Sequence, residues 1–452
     1  MDIILRGYSV NAATWFYLSL LLIIAVFFRF NRIWSVRNLD LGLLLACSPG
    51  LLLIEAGDPG SHVQALGYST LFAASACILI RLLADTGFTR RPQFTQNLNG
   101  AGLAFLCICA FVFLTVQAVT KPPADLAQAT VASSKAMLER EPIEPQPPRQ
   151  GTPGPAAPII TAPVESMAEL LSVQTGILPE ILAVRILAIV AHLAVVLGLL
   201  TVGTRLFGDV SSGWAMATLY LLLPCTAYDV GEFNHVLPAA LVVWAVVAYR
   251  KPLVSGVLLG LAGGSMFFPV FLLPLWAAFY GRRGCVKFCA ALAGVTAVTL
   301  GSLAFTSATV DAFLRKAIGT LDVARLAFRA GEGGATFWDE GTFLSMYRVP
   351  IIVAYVVLLI CLTVWPRRKT VEHLIAHSAA LIVGTQFWYT QQGGIYLLWY
   401  LPLFLMVVFR PRLAHLHPPD LEESAQSTAA RTLSGPHATR TGSSIERMHL
   451  FR

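Results

Sequence analysis

Apolar runs of about 18 residues recur along the whole chain, long enough to cross a hydrocarbon core of roughly 30 Å as helices. They lie near 12–29, 39–55, 67–84, 101–119, 181–203, 212–228, 236–249, 286–306, 349–365, 371–390 and 395–409. Lipid offers no partner for backbone N–H and C=O groups, so only helices and closed barrels span it. These runs lack the period-two alternation of a barrel strand. Only 13% of the 452 residues are charged, against roughly a quarter in soluble domains. The expected fold is therefore all-α: a polytopic transmembrane bundle of about eleven spans.

The segment 252–280 is too long for one span and is interrupted by Gly263, Gly264, Pro269 and Pro274. Arg250-Lys251 precedes it and Arg282-Arg283 follows. If both cationic pairs stay cytoplasmic, it enters and returns as a helical hairpin broken around Gly263 to Pro269. The clusters at Arg29/Arg32/Arg37, Arg90-Arg91, Arg205, Arg367-Arg368-Lys369 and Arg410/Arg412 then share that side with both pairs. The net charge of +7 is thereby a topology signal and requires no nucleic-acid partner. No cleavable signal peptide is evident; the first run ends in Arg29 and Arg32 and suits a retained span.

Two segments on the opposite, outer side exceed what connection requires, 120–180 and 307–348. From Leu126 to Glu139 apolar residues recur at helical spacing, which predicts an amphipathic helix on the membrane surface. The Pro-rich stretch 142–158 reads as an extended tether. A second amphipathic stretch, DAFLRKAIGTLDVARLAFRA, precedes the polar-aromatic run TFWDEGTFLSMYR. The chain divides into N-terminal helices 1–100, a core 101–410 with both outer segments, and a disordered cytoplasmic tail 411–452 rich in Ser, Thr, Arg and His.

Chemistry is expected where polar groups gather at the outer face. Asp125 opens the first surface helix after Pro122 and Pro123; it is either an N-cap or a general base at the bundle mouth. The turn YDVGEFNH brings together Asp229, Glu232, Asn234 and His235, as a solvated loop or as a site for a sugar hydroxyl or a divalent ion. Arg315, Lys316, Arg325 and Arg329 either meet lipid headgroups or hold the phosphate of a lipid-linked substrate. Trp338, Asp339 and Glu340 extend the same mouth. Tyr396, Trp399 and Tyr400 read as an interfacial aromatic belt, and Arg185 and His192 are ionisable groups within a span. Cys47, Cys77, Cys107, Cys109, Cys225 and Cys361 fall in apolar runs and read as small core residues. No phosphate-binding loop, dinucleotide fingerprint, HExxH or GxSxG signature appears in a credible context.

The stretch GEFNHVLPAALVVWAVVAYRKPLVSGVLLGLAGGSMFFPVFLLPLWAAFYGRRG resembles the central region of GT-C glycosyltransferases, nearest their polyprenol-phosphate-mannose-dependent mannosyltransferase-like group. PADLAQATVASSKAMLER is similar to the first outer loop of that family, DEGTFLSMYR to a later one, and GGIYLLWYLPLF to its last aromatic-Pro span. The resemblance covers roughly 100–410, leaving the earlier helices as an addition. It implies an inverting hexosyltransferase, integral to a bacterial inner (plasma) membrane with its C-terminus cytoplasmic. That enzyme would move a sugar from a polyprenyl-phosphate donor to a lipid or glycan acceptor on the extracytoplasmic face. By this analogy Asp125 is the base; Glu232, Asn234, His235, Arg325, Arg329, Asp339 and Glu340, read from the outer segments themselves, are the expected substrate-binding residues. No cofactor is required by it, although a divalent cation remains open. Ser265-Met266 stands where family members commonly carry a Lys. Two other classes compete with this reading: a transporter or lipid-handling protein with a midplane site at the broken hairpin, and a non-catalytic scaffold.

Overall fold

The computed structural model describes residues 12–58, 61–88, 96–138, 154–228, 230–305, 307, 309–310, 313–314, 348–389 and 396–419. Among the described residues the fold is wholly helical, with no strand. Every apolar run read from the sequence falls on a helix. These are α1 (Ala12–Phe27), α2 (Val36–Ala56), α3 (His62–Asp85), α4 (Gly100–Thr120), α7 (Pro179–Thr201), α8 (Val210–Leu222), α10 (Phe233–Val247), α12 (Leu273–Phe305), α13 (Arg348–Val364), α14 (Val371–Thr385) and α15 (Leu401–Phe409). Between them lie α5 (Asp125–Leu138), α6 (Ala157–Thr175), α9 (Pro224–Tyr228) and α11 (Pro252–Ser265).

Among the described residues five stretches are long and apolar enough to cross a membrane by themselves: Val36–Ala56, His62–Asp85, Gly100–Thr120, Pro179–Leu206 and Phe268–Phe305; the expected count of about eleven is not confirmed. Six shorter apolar helices account for most of the remaining runs. Chain-breaking residues explain the shortfall. Leu223-Pro224 separates α8 from α9, because a residue before proline is pushed out of the helical region. Gly281, at φ 69°, interrupts α12 just before Arg282-Arg283.

The hairpin forms at 252–280. Helix α11 stops at Ser265, Met266 is extended, and a 3-10 turn over Phe268–Leu272 starts the return. Gly256 faces Phe288 and Ala291, and Gly260 faces Leu292 and Val295. Both contacts advance together along the chain, so α11 runs parallel to the second half of α12, as an in-and-back hairpin requires. A Cβ at Gly256 would sit 2.7 Å from Phe288 O; small residues every fourth position let the two backbones approach.

Gly264, the third residue of that series, meets the chain returning from the outer segment. Gly154 N–H donates to Ser265 O at 3.0 Å and Ala156 N–H to Gly264 O at 2.8 Å. These bonds satisfy carbonyls that the helix end leaves without an intrahelical partner. A Cβ at Gly154 would lie 2.1 Å from Gly264 O. Position 154 must be glycine.

Of the expected tether over 142–158, residues 142–153 lie outside the described residues, and its last two, Ala157 and Pro158, instead begin helix α6. Pro158 stands in its first turn, where a missing N–H costs nothing. Helix α5 is present as expected, but one side is protein-packed: Ala127, Thr130, Val131 and Ser134 are buried at helical spacing, with α6, α7 and α10 among the neighbours.

Arg90-Arg91 lie outside the described residues; cationic residues from both ends of the chain meet at one end of the bundle. Arg29 N–H donates to Asn38 Oδ1, and Asn97 N–H to Val26 O. Arg81 reaches Asp40 at 2.6 Å and Asp85 at 2.9 Å, while Arg410 donates to Asp85 and lies 3.0 Å from Glu372. Buried charges persist only when paired in this way. This chain of ion pairs joins the N-terminal helices α2 and α3 to α14 and the end of α15.

Candidate active site

A cavity of about 430 Å³ opens at the opposite end of the bundle. Helices contribute to it from both halves of the chain: Trp15 of α1, Glu55 of α2, Gln117 of α4 and Tyr228 of α9, with Lys121 and Glu232 from the loops. The N-terminal helices, read from the sequence as an addition, supply part of its wall.

Lys121 follows α4, and its Nζ donates to Ala227 O at 3.0 Å and Tyr228 O at 3.4 Å. A cation at a helix C-terminus is favourable because the last carbonyls carry partial negative charge. The ammonium is thereby held at the cavity wall. Pro122 and Ala124 continue that wall, and Asp125 follows as the first, exposed residue of α5. A carboxylate there meets the unpaired N–H groups of the first turn.

Glu232 faces the cavity from the turn before α10. Its Oε2 is shut off from solvent and has no hydrogen-bond partner among the described residues. Burial, with the Asp125 carboxylate nearby, pushes its pKa up to about 7. A carboxyl in a partly dry hollow beside a like charge holds its proton more tightly. Gln117 adds another unpartnered buried oxygen, Oε1, from the same wall.

The remaining residues of GEFNH point elsewhere. Asn234 is 5% exposed and turns toward α5, its Oδ1 lying 3.2 Å from Thr130 Oγ1. His235 accepts from Trp399 Nε1 through Nδ1 at 3.0 Å, and its ring lies 4.7 Å from that of Tyr396. Neither side chain lines the cavity. Tyr396, Trp399 and Tyr400 are not a lipid-facing belt: Trp399 is 1% exposed and stacks on Phe268 at 4.5 Å. Folding back at Phe268 requires something flat to fill the break, and these rings do so. His192 is a core residue bonded to Tyr220 at 2.9 Å. Three of the six cysteines expected in the core, Cys77, Cys109 and Cys361, are exposed on helix surfaces.

Asp229, Arg315, Lys316, Arg325, Arg329, Trp338, Asp339 and Glu340 lie outside the described residues. Among the described residues no group of three His, Cys, Asp or Glu side chains is arranged to hold a metal ion. Sequence reasoning missed Glu55, Gln117 and Lys121. The signal for Lys121 was present, since it immediately precedes the Pro-Pro-Ala-Asp turn. Glu55 and Gln117 are single polar residues at the ends of apolar runs and carry no local signature.

Residues 166–388 match the family model of Glycosyltransferase family 87. This places that segment in a GT-C-type family of integral membrane glycosyltransferases. The resemblance seen in the GEFNH-to-GRRG stretch is therefore borne out. No curated protein and no solved structure matches the chain. The match to family 87 over this segment and the long apolar helices together support a membrane glycosyltransferase. The matched segment contains the Glu232 turn, the hairpin and α14, whereas Lys121, Asp125 and the walls from α1, α2 and α4 precede it.

Proposed function

We propose that this glycosyltransferase moves a hexose from a polyprenyl-phosphate donor to a lipid or glycan hydroxyl at the cavity beside Glu232, on the extracytoplasmic face. The observation that carries the reading is the convergence of Lys121, Ala124 and Glu232 around one hollow, with Asp125 next in the chain and its charge felt at Glu232. The cationic ends gathered at the other side of the bundle support the orientation, by the positive-inside rule.

In this reading the acceptor hydroxyl surrenders its proton to Asp125 as its oxygen attacks the anomeric carbon. The sugar–phosphate bond breaks, polyprenyl phosphate leaves with the electron pair, and the anomeric centre inverts. Lys121 faces the phosphate and stabilises the charge that develops there. Glu232, neutral below about 7, donates a hydrogen bond to a sugar hydroxyl. Lys121 then takes the part left vacant by Ser265-Met266, whose backbone is engaged by Gly154. A lipid donor brings its own anchor, so no nucleotide-binding domain is needed. Arg325, Arg329, Asp339 and Glu340 remain proposed substrate contacts from the second outer segment, and Asn234 and His235 become positioning residues.

A carrier would need an open polar site at the hairpin break. Phe267, Phe268, Tyr389 and Trp399 fill that position with stacked rings, which favours the transferase.

The test is reconstitution in liposomes with radiolabelled polyprenyl-phosphate mannose or glucose and a membrane-lipid extract as acceptor. Wild-type protein is expected to transfer label, and Asp125→Asn to lose about a hundredfold or more, the usual worth of a positioned base. Absence of both donor binding and transfer, with Asp125→Asn indistinguishable from wild type in cells, overturns the reading.

A further inference from the structure

A second cavity, of about 590 Å³, lies at the end of the bundle remote from Glu232. Helices α2, α4 and α10 each run from one end to the other, so the two cavities are separated by their lengths. Arg205, Arg250, Arg412 and His415 line it, from three different parts of the chain. Such convergence is uncommon, since like charges repel unless an anion stands between them.

Each guanidinium is presented by a separate device. Arg205 sits in a π-helical turn, Val202–Leu206, that ends α7; such turns insert an extra residue and redirect a side chain. Arg250 lies over the Tyr249 ring at 5.7 Å, with its Nε 3.0 Å from Tyr249 Oη. Arg412 follows α15, just beyond the Arg410–Asp85 ion pair that fixes that stretch. Asp209, the acid nearest to Arg205 in the sequence, is occupied at the start of α8 by the amides of Ser211 and Ser212. Asp85 and Glu372 are already paired with Arg410. The floor between the cations is apolar, from Phe207, Leu413 and Leu416.

We infer that this cavity binds a phosphate-bearing anion, held by Arg205, Arg250 and Arg412. Planar guanidinium forks match phosphate oxygens two at a time, which a lysine cluster does not. The chemistry is shared by an anionic phospholipid headgroup and a free phosphate ester. The apolar floor favours the lipid.

The test uses full-length protein in detergent. Native mass spectrometry follows retention of phosphatidylglycerol against phosphatidylcholine, and of inorganic phosphate against chloride. Wild type is expected to retain phosphatidylglycerol in preference. Arg205→Gln with Arg412→Gln is expected to weaken that retention roughly tenfold for each guanidinium lost. Arg205→Lys keeps charge but not the fork and is expected to fall between. Both glutamine sites are exposed, and an unchanged unfolding temperature verifies the fold. Binding of inorganic phosphate with the same sensitivity, and no lipid preference, assigns the site to a free phosphate. Equal retention by wild type and the double variant, or none of either ligand, overturns the inference.

Discussion

Thr130 Oγ1 lies 3.2 Å from Asn234 Oδ1, linking the helix that begins at Asp125 to the one that begins beside Glu232. The contact is buried on both sides, so it sets the position of α5 against α10 and thereby the spacing of the two acids. Thr130→Val keeps the shape and removes the hydroxyl. It is expected to cost about 1 kcal/mol of stability and to lower turnover, while Thr130→Ser stays near wild type. Thermal unfolding and transfer rate, measured on the same samples, check this.

The raised pKa of Glu232 has a definite sign. Its folded value is about 7 against an ordinary 4.5, so between these limits the folded state holds a proton the unfolded chain has lost. Its stabilising contribution is complete below 4.5 and disappears as pH rises through about 7. Stability measured across that window is expected to decline in wild type and to flatten in Glu232→Gln. Transfer should likewise fall on the alkaline side, and Glu232→Gln should hold its rate there.

Asp125 contributes to that raised value by its charge, after burial. Asp125→Asn is therefore expected to move the Glu232 transition to lower pH while leaving part of the rise in place. A pH series of unfolding temperatures reads the shift without requiring activity. An unmoved transition would mean that the two carboxylates are electrostatically independent.

Lys121 is assigned to the donor phosphate. Lys121→Met preserves the aliphatic stem and deletes the charge. KM for the polyprenyl-phosphate sugar is expected to rise about tenfold or more, the scale of one charge-assisted hydrogen bond. Steady-state kinetics at saturating acceptor measures it. An effect on acceptor KM alone would reassign the residue.

The ion pairs Asp40–Arg81–Asp85–Arg410 bind the two ends of the chain together. Arg410→Met leaves Asp85 with one fewer cation beside it and takes the paired guanidinium away from Glu372. It is expected to destabilise by roughly 3–5 kcal/mol, the usual cost of breaking a buried pair from one side. The lowered unfolding temperature should be partly restored by adding Asp85→Asn. Loss of α2 and α3 should be equally damaging, as both complete this network and α2 also forms part of the cavity wall.

The helices were legible because lipid-compatible segments must announce themselves: an apolar run long enough to be a span is a local property. The hairpin was legible for a related reason, since cationic pairs at 250–251 and 282–283 constrain where its ends lie. The helix at 157–175 was hidden by its prolines, which read as a break although one of them simply occupies a first turn. The aromatic residues at 396–400 were misplaced because the same rings suit an interface or a buried stack. Composition does not distinguish the two.

The sequence by itself determined that the chain is helical, that most helices are apolar enough for lipid, and which end of each carries positive charge. Those properties depend on neighbours along the chain. Only the tertiary structure decided that Glu55, Gln117 and Lys121 join Glu232 at one cavity, and that Asn234 and His235 turn away from it. The reason is rotation: residues adjacent in a helix point about 100° apart, and packing against other helices chooses which of them faces the hollow.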